Sequence, residues 1–296
     1  MILKRRTKKG IFVALMLLIP AAHFAVFWVA VNINSILLAF KRLNILSREE
    51  YFTFDNFKAI PSLFGKFGDL RTALSNTLLT WIFLVVFLLP WGFLLTYFLY
   101  KKIALSGFWR TMLFVPSLLP AVAMTSIFMF ITLPKAPVGQ ILGLIRPGGP
   151  PALLTDPVYA NKTIIFYIFL TNFGGQFILF SGAMARIPKE VLESADIDGA
   201  GLKTELLRII LPLCWPTFSM LLLLNIAGIF TASGPVLLLT NGKADTSTIA
   251  FWLFSSTRFG NYYMPAAVGI LFTLILFPIV LFARWGFGRI YADVEF

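Results

Sequence analysis

Histidine and cysteine are almost missing from this chain of 296 residues, which has one of each, His23 and Cys214. A single cysteine excludes a disulfide within the chain, and a lone imidazole leaves no cluster to hold a catalytic metal, so redox and zinc chemistry are poor bets. Charge is scarce too, at 13% of residues, against 58% hydrophobic and 16% aromatic. One water-soluble core of this size cannot hide that much apolar surface, because a soluble fold must cover itself with polar groups. The bilayer is the solvent. A phosphate cradle of the form GxxxxGKS/T is absent as well: Asn241-Gly242-Lys243-Ala244 lacks both the earlier glycine and the following hydroxyl. Any ATP used must be bound by another chain.

What charge there is sums to +12. It lies in short basic runs beside apolar stretches, where it meets anionic headgroups and fixes topology, so it does not indicate nucleic acid. The N-terminal Lys4-Arg5-Arg6-Thr7-Lys8-Lys9 precedes an apolar run from Ile11 to Ile33. That run is too long for the core of a signal peptide and lacks a small-residue cleavage site, so it is read as a retained span. Stretches near 20 apolar residues, the length that crosses about 30 Å of hydrocarbon, occur at 11–33, 75–100, 108–133, 163–185, 209–231 and 263–284. Charge touches them only at Arg110, at Arg186 just after the fourth, and at Arg284. With a cytoplasmic basic N-terminus over 1–10, Lys101, Lys102, Arg110, Arg186, Lys189, Lys203, Arg208, Arg284 and Arg289 share the cytoplasmic side, and both termini are inside. The segments 34–74, 134–162 and 232–262 are then external. Gly228, Gly234 and Pro235 end the fifth helix near the outer side, and Thr246 to Phe254 is left open as a short helix at that face.

The segment Ile187 to Pro216 reads IPKEVLESADIDGAGLKTELLRIILPLCWP. Pro188 suits a first helical position, and Glu190 and Glu193 favour the positive start of a short helix that Asp198-Gly199 stops. A second helical stretch begins near Ala200, with Leu202, Leu206 and Ile209 at helical spacing and Lys203, Glu205 and Arg208 pointing elsewhere. Periodicity alone also fits an amphipathic loop resting on headgroups. These residues resemble the EAA loop of ATP-binding-cassette (ABC) importer permeases: Glu193-Ser194-Ala195, then Gly199, then Ile209-Ile210-Leu211-Pro212. Ser194 and Leu206 depart mildly from the pattern.

The resemblance implies an all-α membrane protein, six transmembrane helices of the type I ABC importer permease fold, as a single permease domain over 11–296 with a cytoplasmic coupling loop over 186–208. It implies that Glu193, Ala195, Asp198 and Gly199 dock in a cleft of an ATPase subunit. Glu190 belongs to the same helix, and the small Ser194, Ala195, Gly199 and Ala200 allow a partner close approach. The implied function is the permease subunit of an ATP-driven, binding-protein-dependent importer in the cytoplasmic membrane, for a carbohydrate, forming half of a pathway and itself no enzyme. The implied partners are a second, unlike permease, an ABC ATPase dimer and an extracytoplasmic solute-binding protein. No cofactor is bound by this chain; ATP and Mg belong to the ATPase.

Further motifs are similar to the maltose and glycerol-phosphate branch: Asn56-Phe57, Asn76-Thr77-Leu78, Phe108-Trp109-Arg110-Thr111, Phe114-Val115-Pro116 with Pro120, and Thr240-Asn241-Gly242 with Thr246 and Thr248. Lys243-Ala244 replaces the usual Gly-Pro there. Pro90, Pro116 and Pro120 read first as kinks that shape a cavity. Asn172, Gln176, Ser181, Asn225, Thr231 and Ser233 bond either a sugar or a neighbouring helix. Asn172, Gln176, Asn225, Phe230 and Thr231 are the pathway candidates, while Trp81, Phe173 and Phe177 are further rings able to stack on a sugar. The rival readings are an importer of amino acids, polyamines or phosphate, an ion-driven carrier, for which no carboxylate is visible at mid-depth, and a membrane scaffold.

Overall fold

The computed structural model describes residues 2–44, 49–65, 69–145, 149, 151–231 and 233–290. The side chains of Lys4 to Lys8 in the basic N-terminal run lie outside the described residues, as do residue 232 of the outer segment and the terminal 291–296.

Helix α1 starts as Ile2–Phe24, passes through a π turn over Ala25–Ala30 and continues as Val31–Ala39. Strands β1 (Lys41–Leu43) and β2 (Glu50–Phe52) follow, then α2 (Asp55–Leu63). Helix α3 (Asp69–Tyr100) contains a π turn at Phe83–Leu88. Helices α4 (Ser106–Leu118) and α5 (Ala121–Ile131) meet at 105°. After α6 (Pro137–Ile145) come the long α7 (Pro157–Met184) and the short α8 (Lys189–Ile197). Helix α9 (Leu202–Leu213), with a π turn at Glu205–Ile210, meets α10 (Trp215–Ala227) at 71°. The described chain ends with α11 (Gly234–Leu239), α12 (Ile249–Arg258) and α13 (Tyr263–Ile290). Among the described residues four helical stretches, Lys9–Ala39, α3, α7 and α13, are individually long and apolar enough to span a bilayer, and the total is six when each bent pair is counted as one span.

Proline chemistry explains the bends. The stretch 108–133, read as one helix from composition, is broken because Pro120 pushes Leu119 into extended backbone, ψ 142°, and is itself extended, ψ 135°, so that the next helix begins only at Ala121. Pro90 and Pro212 each stand just after a π turn, Phe83–Leu88 and Glu205–Ile210. A proline has no N–H to give and its ring crowds the carbonyl one turn back; a widened turn relieves both. In the fifth span the helix begins at Leu202 and turns sharply at Cys214, with Pro216 opening α10.

The chain divides into two compact units, residues 1–62 with 256–273, and residues 63–255 with 274–296. In the first, β1 and β2 pair antiparallel with Lys41 opposite Phe52 and Leu43 opposite Glu50. Strands of three residues are too short to show a period of two, and so this ribbon has no signature in the sequence. Asn56 explains the Asn-Phe motif: its buried Nδ2 donates to the carbonyls of Ala39 and Lys41 at 2.9 and 2.8 Å, closing the end of α1, while Phe57 packs with Phe40 and Phe54. Glu50 accepts from Lys41 Nζ at 2.8 Å and from the Tyr263 hydroxyl at 2.9 Å.

In the second unit α7 is the central post, packed against α3, α4, α10 and α11. Towards its C-terminal end Phe180 and Met184 join Leu89, Phe93 and Tyr97 of α3, Ile187, Leu206 and Ile210 in one buried cluster. Nearer its start, Ile164, Tyr167 and Ile168 pack with Phe128, Val236, Leu239 and Phe251 in another.

The Lys41 hydrogen bond first, and that from Tyr263 second, hold the Glu50 carboxyl below its ordinary 4.5. A carboxylate depressed in the folded state stabilises above its unfolded value, and that contribution is lost as pH falls through the lower folded one. Amide exchange over Lys41–Leu43 and Glu50–Phe52, corrected for intrinsic rates, should accelerate on acidification below about pH 4.5; Glu50→Gln should be faster at neutral pH and flatter with pH. Protection indifferent to both would refute this tie.

Candidate functional site

Pro188, extended at φ −57° and ψ 139°, stands one position before α8 rather than at its first turn, so Lys189 and Glu190 open the helix. Ala195 is buried, and Val191 and Leu192 pack against the cluster shared by α3, α7 and α9. The opposite face is exposed and holds Glu190, Glu193, Ser194, Ile197, Asp198 and Gly199. Ile197, 86% exposed, is an apolar side chain with nothing of this chain over it. The helix closes in a Schellman turn: Ala200 N–H donates to Ala195 O at 2.9 Å and Gly199 N–H to Asp196 O at 3.1 Å. Gly199 takes φ +73°, which is why glycine is needed, and a side chain there would point into open space. Charged and apolar groups thus stand together on a short rigid helix, with all seven predicted loop residues from Glu190 to Ala200 in one turn-capped unit.

Below it, the expected apolar stripe of Leu202, Leu206 and Ile209 is shifted. The π turn adds a residue to the register, so Leu206 and Ile210 are buried, Leu202 is exposed, and Glu205, expected to face away, is 4% exposed. Its carboxylate meets Lys101 Nζ at 2.7 Å. Arg110 donates to Leu99 O at 2.8 Å, which gives the Phe-Trp-Arg motif a role in capping α3.

Farther along α3, a cavity of about 290 Å³ is lined by Thr77, Thr80, Trp81 and Leu84, by Leu224, Asn225, Gly228 and Ile229 around the end of α10, by Asn172 of α7 and by Thr248. A second, of about 250 Å³, lies along the α4–α5 break and the start of α11, and again includes Asn172. Of the predicted pathway residues the structure brings Asn172 and Asn225 together. Each keeps one amide hydrogen bond to its own helix, to Ile168 O at 3.0 Å and Leu221 O at 2.8 Å. Trp81 Nε1 donates to the Asn225 carbonyl at 3.1 Å. Gln176, Phe230 and Thr231 line neither cavity: Gln176 Oε1 is buried without a hydrogen-bond partner and faces Gly92, and Thr231 donates to Gly228 O at 2.8 Å. Thr80 was missed, and Thr77 was read only as part of a motif, because threonine at helical spacing carries no signal of its own.

The rim of the first cavity is held by the Asn76-Thr77 motif. Asn76 Nδ2 donates to Asp245 O and Ser247 O at 2.6 and 2.9 Å, its Oδ1 accepts from Asn161 at 2.9 Å, and Thr77 Oγ1 accepts from Ile249 N at 2.9 Å. Asn241, Gly242, Ala244 and Asp245 all have positive φ, and the hydroxyls of Thr240 and Thr246 meet at 2.6 Å. Strained backbone held this firmly is a mark of functional loops. Among the described residues no group of three or more metal-ligating side chains occurs.

The arrangement defines a polytopic helical membrane protein with a short exposed helix, α8, and a cavity lined by uncharged polar groups. Residues 88–294 match the family model for the binding-protein-dependent transport system inner membrane component, and the chain belongs to that family, whose members are transport components and not themselves enzymes. It is 30% identical over 219 residues to the multiple sugar-binding transport system permease protein of Streptococcus mutans, covering 70% of this chain and 73% of that one. It is 25% identical over 224 residues to the alpha-glucoside transport system permease protein of Rhizobium meliloti, covering 72% and 66%. The chain thus spans about two thirds of the length of such relatives. A chain of the bacterial ABC transporter that imports the acidic polysaccharide alginate has the same fold, with TM-score 0.82, 98% of this chain and 99% of that one covered, and 23% identity. The type I importer permease fold expected from the EAA loop is therefore the fold observed.

Gly242, at φ +73°, has the Phe251 ring where a Cβ would stand. Gly242→Ala should destabilise the loop by about 2 kcal/mol, read as a lower melting temperature in detergent with faster cleavage between Thr240 and Thr248. An unchanged melting point would show that Phe251 yields freely.

Proposed function

We propose that this chain is the permease subunit of an ATP-driven, binding-protein-dependent importer of a neutral carbohydrate, supplying half of the pathway. The observation that carries the reading is that α3 joins both working ends: Thr77, Thr80, Trp81 and Leu84 line the cavity, and the helix's last turns pack in the cluster on which α8 rests. Closure of an ATPase dimer around α8 would then move the cavity wall as a packed unit. The partners are a second, unlike permease, two ATPase copies that carry ATP and Mg, and an extracytoplasmic binding protein. Solved alginate transporter structures include one in complex with a periplasmic protein bound to an alginate pentasaccharide. The chain forms one permease domain over 11–296, with 1–10, 186–208 and both termini cytoplasmic.

The solute class follows from the cavity chemistry. Threonine hydroxyls, asparagine amides and an indole suit a polyhydroxyl ring, with hydrogen bonds at its edge and an aromatic surface for its apolar face. Among the described residues no Asp, Glu, Lys or Arg lines either cavity. A charged solute would be left unpaired there and an ion-driven carrier would lack its titrating group.

Co-purification tests the docking half. Wild type should bring an ATPase subunit and a second permease from membranes, whereas Glu193→Lys and Gly199→Trp should lose the ATPase and keep the permease. An ATPase bound equally by all three would remove α8 from the interface. For the pathway half, Asn172→Leu should lower uptake of a labelled neutral oligosaccharide by roughly tenfold, the worth of a hydrogen bond or two, with the complex intact; unchanged uptake would place the solute elsewhere.

A further inference from the structure

We propose that the Lys101–Glu205 ion pair is a latch by which movement of the docking helix reaches the cavity wall, which makes both residues positioning residues for transport. This rests on the importer reading above. Glu205 is the only charged residue among the buried ones described, and its partner closes α3 at the cytoplasmic end assigned above. The contact is 2.7 Å, with Tyr97 of α3 beside the same carboxylate. The other two ion pairs among the described residues, Lys41–Glu50 and Lys58–Asp55, are more exposed on the acidic side.

Two features that cost stability coincide at Glu205. A carboxylate taken out of water must recover its hydration from its partner, and here a single ammonium is the main source. The residue also opens the π turn Glu205–Ile210, a geometry that a continuous α-helix avoids and that recurs at functional sites. The π turn is what brings Glu205 to the buried side, as the displaced leucine stripe records. Lys101 in turn gains from the carbonyl end of α3, where a cation is favoured, and its backbone N–H already bonds Tyr97 O at 3.0 Å, so its position reports that of α3.

Mechanically, α9 follows α8 after the Schellman turn at Gly199, and α3 carries Thr77, Thr80 and Trp81 of the cavity. Apolar packing between α3 and α9 allows sliding, since one methyl contact replaces another. A buried ion pair does not slide, because any separation leaves a charge unpaired. The pair therefore fixes α3 to the one segment that moves with the ATPase.

The test uses the assembled permease–ATPase complex in lipid nanodiscs, with Cys214→Ala and Thr80→Cys so that N-ethylmaleimide reads the cavity without a solute. ATP with vanadate should change the labelling rate at position 80 by roughly tenfold, within the usual range for coupled sites. Glu205→Gln and Lys101→Met should remove that change while ATP hydrolysis continues, and the exchange of charges, Lys101→Glu with Glu205→Lys, should restore it. The latch is refuted if either single variant keeps the ATP-dependent change, or if the exchange recovers assembly and hydrolysis without it. If the wild-type chain brings no ATPase, the importer reading fails first, and the latch fails with it.

Discussion

Inside hydrocarbon a helix must satisfy its own backbone, since no water stands ready to do so. The break between α4 and α5 lies beside a cavity. The extended Leu119 before Pro120 lines the smaller cavity together with Pro116, Ser117, Gly234 and Pro235. The end of α10 at Gly228 and Ile229 lines the larger one. Pro90 follows a π turn instead, and there the helix α3 continues to Tyr100.

The same constraint organises the polar side chains. Threonines at 77, 96, 125, 163, 171 and 273 return their hydroxyls to the carbonyl four residues back. Asn172 and Asn225 do likewise with one amide hydrogen, which leaves the amide oxygen of each and its second hydrogen for whatever enters. A cavity built this way is polar without being charged, and its groups are held in place before a solute arrives.

The spans and the short helix α8 with its turn were legible in the sequence because both rest on strong local signals: unbroken apolar length in one, and the Glu-Ser-Ala and Asp-Gly-Ala spacing in the other. The sharp break at Pro120 was underestimated, since one proline reads as a kink whether the bend is slight or 105°. The burial of Glu205 was hidden because a helical wheel assumes 3.6 residues per turn and a π turn breaks that count. The β1–β2 ribbon was too short to read. Asn56 and Asn76 were recognised as motifs by resemblance, but their chemistry, capping one helix end and clamping a distant loop, depends on partners up to 171 residues away. Of the pathway candidates, Asn172 and Asn225 lie on the cavity because they share its helices at the right depth. Gln176 is one turn beyond Asn172, where α7 closes on α3 at Gly92.

Charge is distributed according to the work each region does. In the described parts of α3 to α11, acidic and basic side chains gather at the helix ends and on the α8 to α9 segment, while the cavities have none. A neutral polar wall suits a polyhydroxyl solute, which carries none of the desolvation cost that an ion would exact. A charged surface suits a protein partner held in one orientation, because opposite charges fix register where apolar contact alone does not. Glu205 stands between these regions, the one carboxylate among the described residues that is buried, in the turn that leads from α8 into the fifth span. A charge at that position ties the two regions together at a fixed spacing, which neither the neutral cavity nor the exposed face of α8 can do alone.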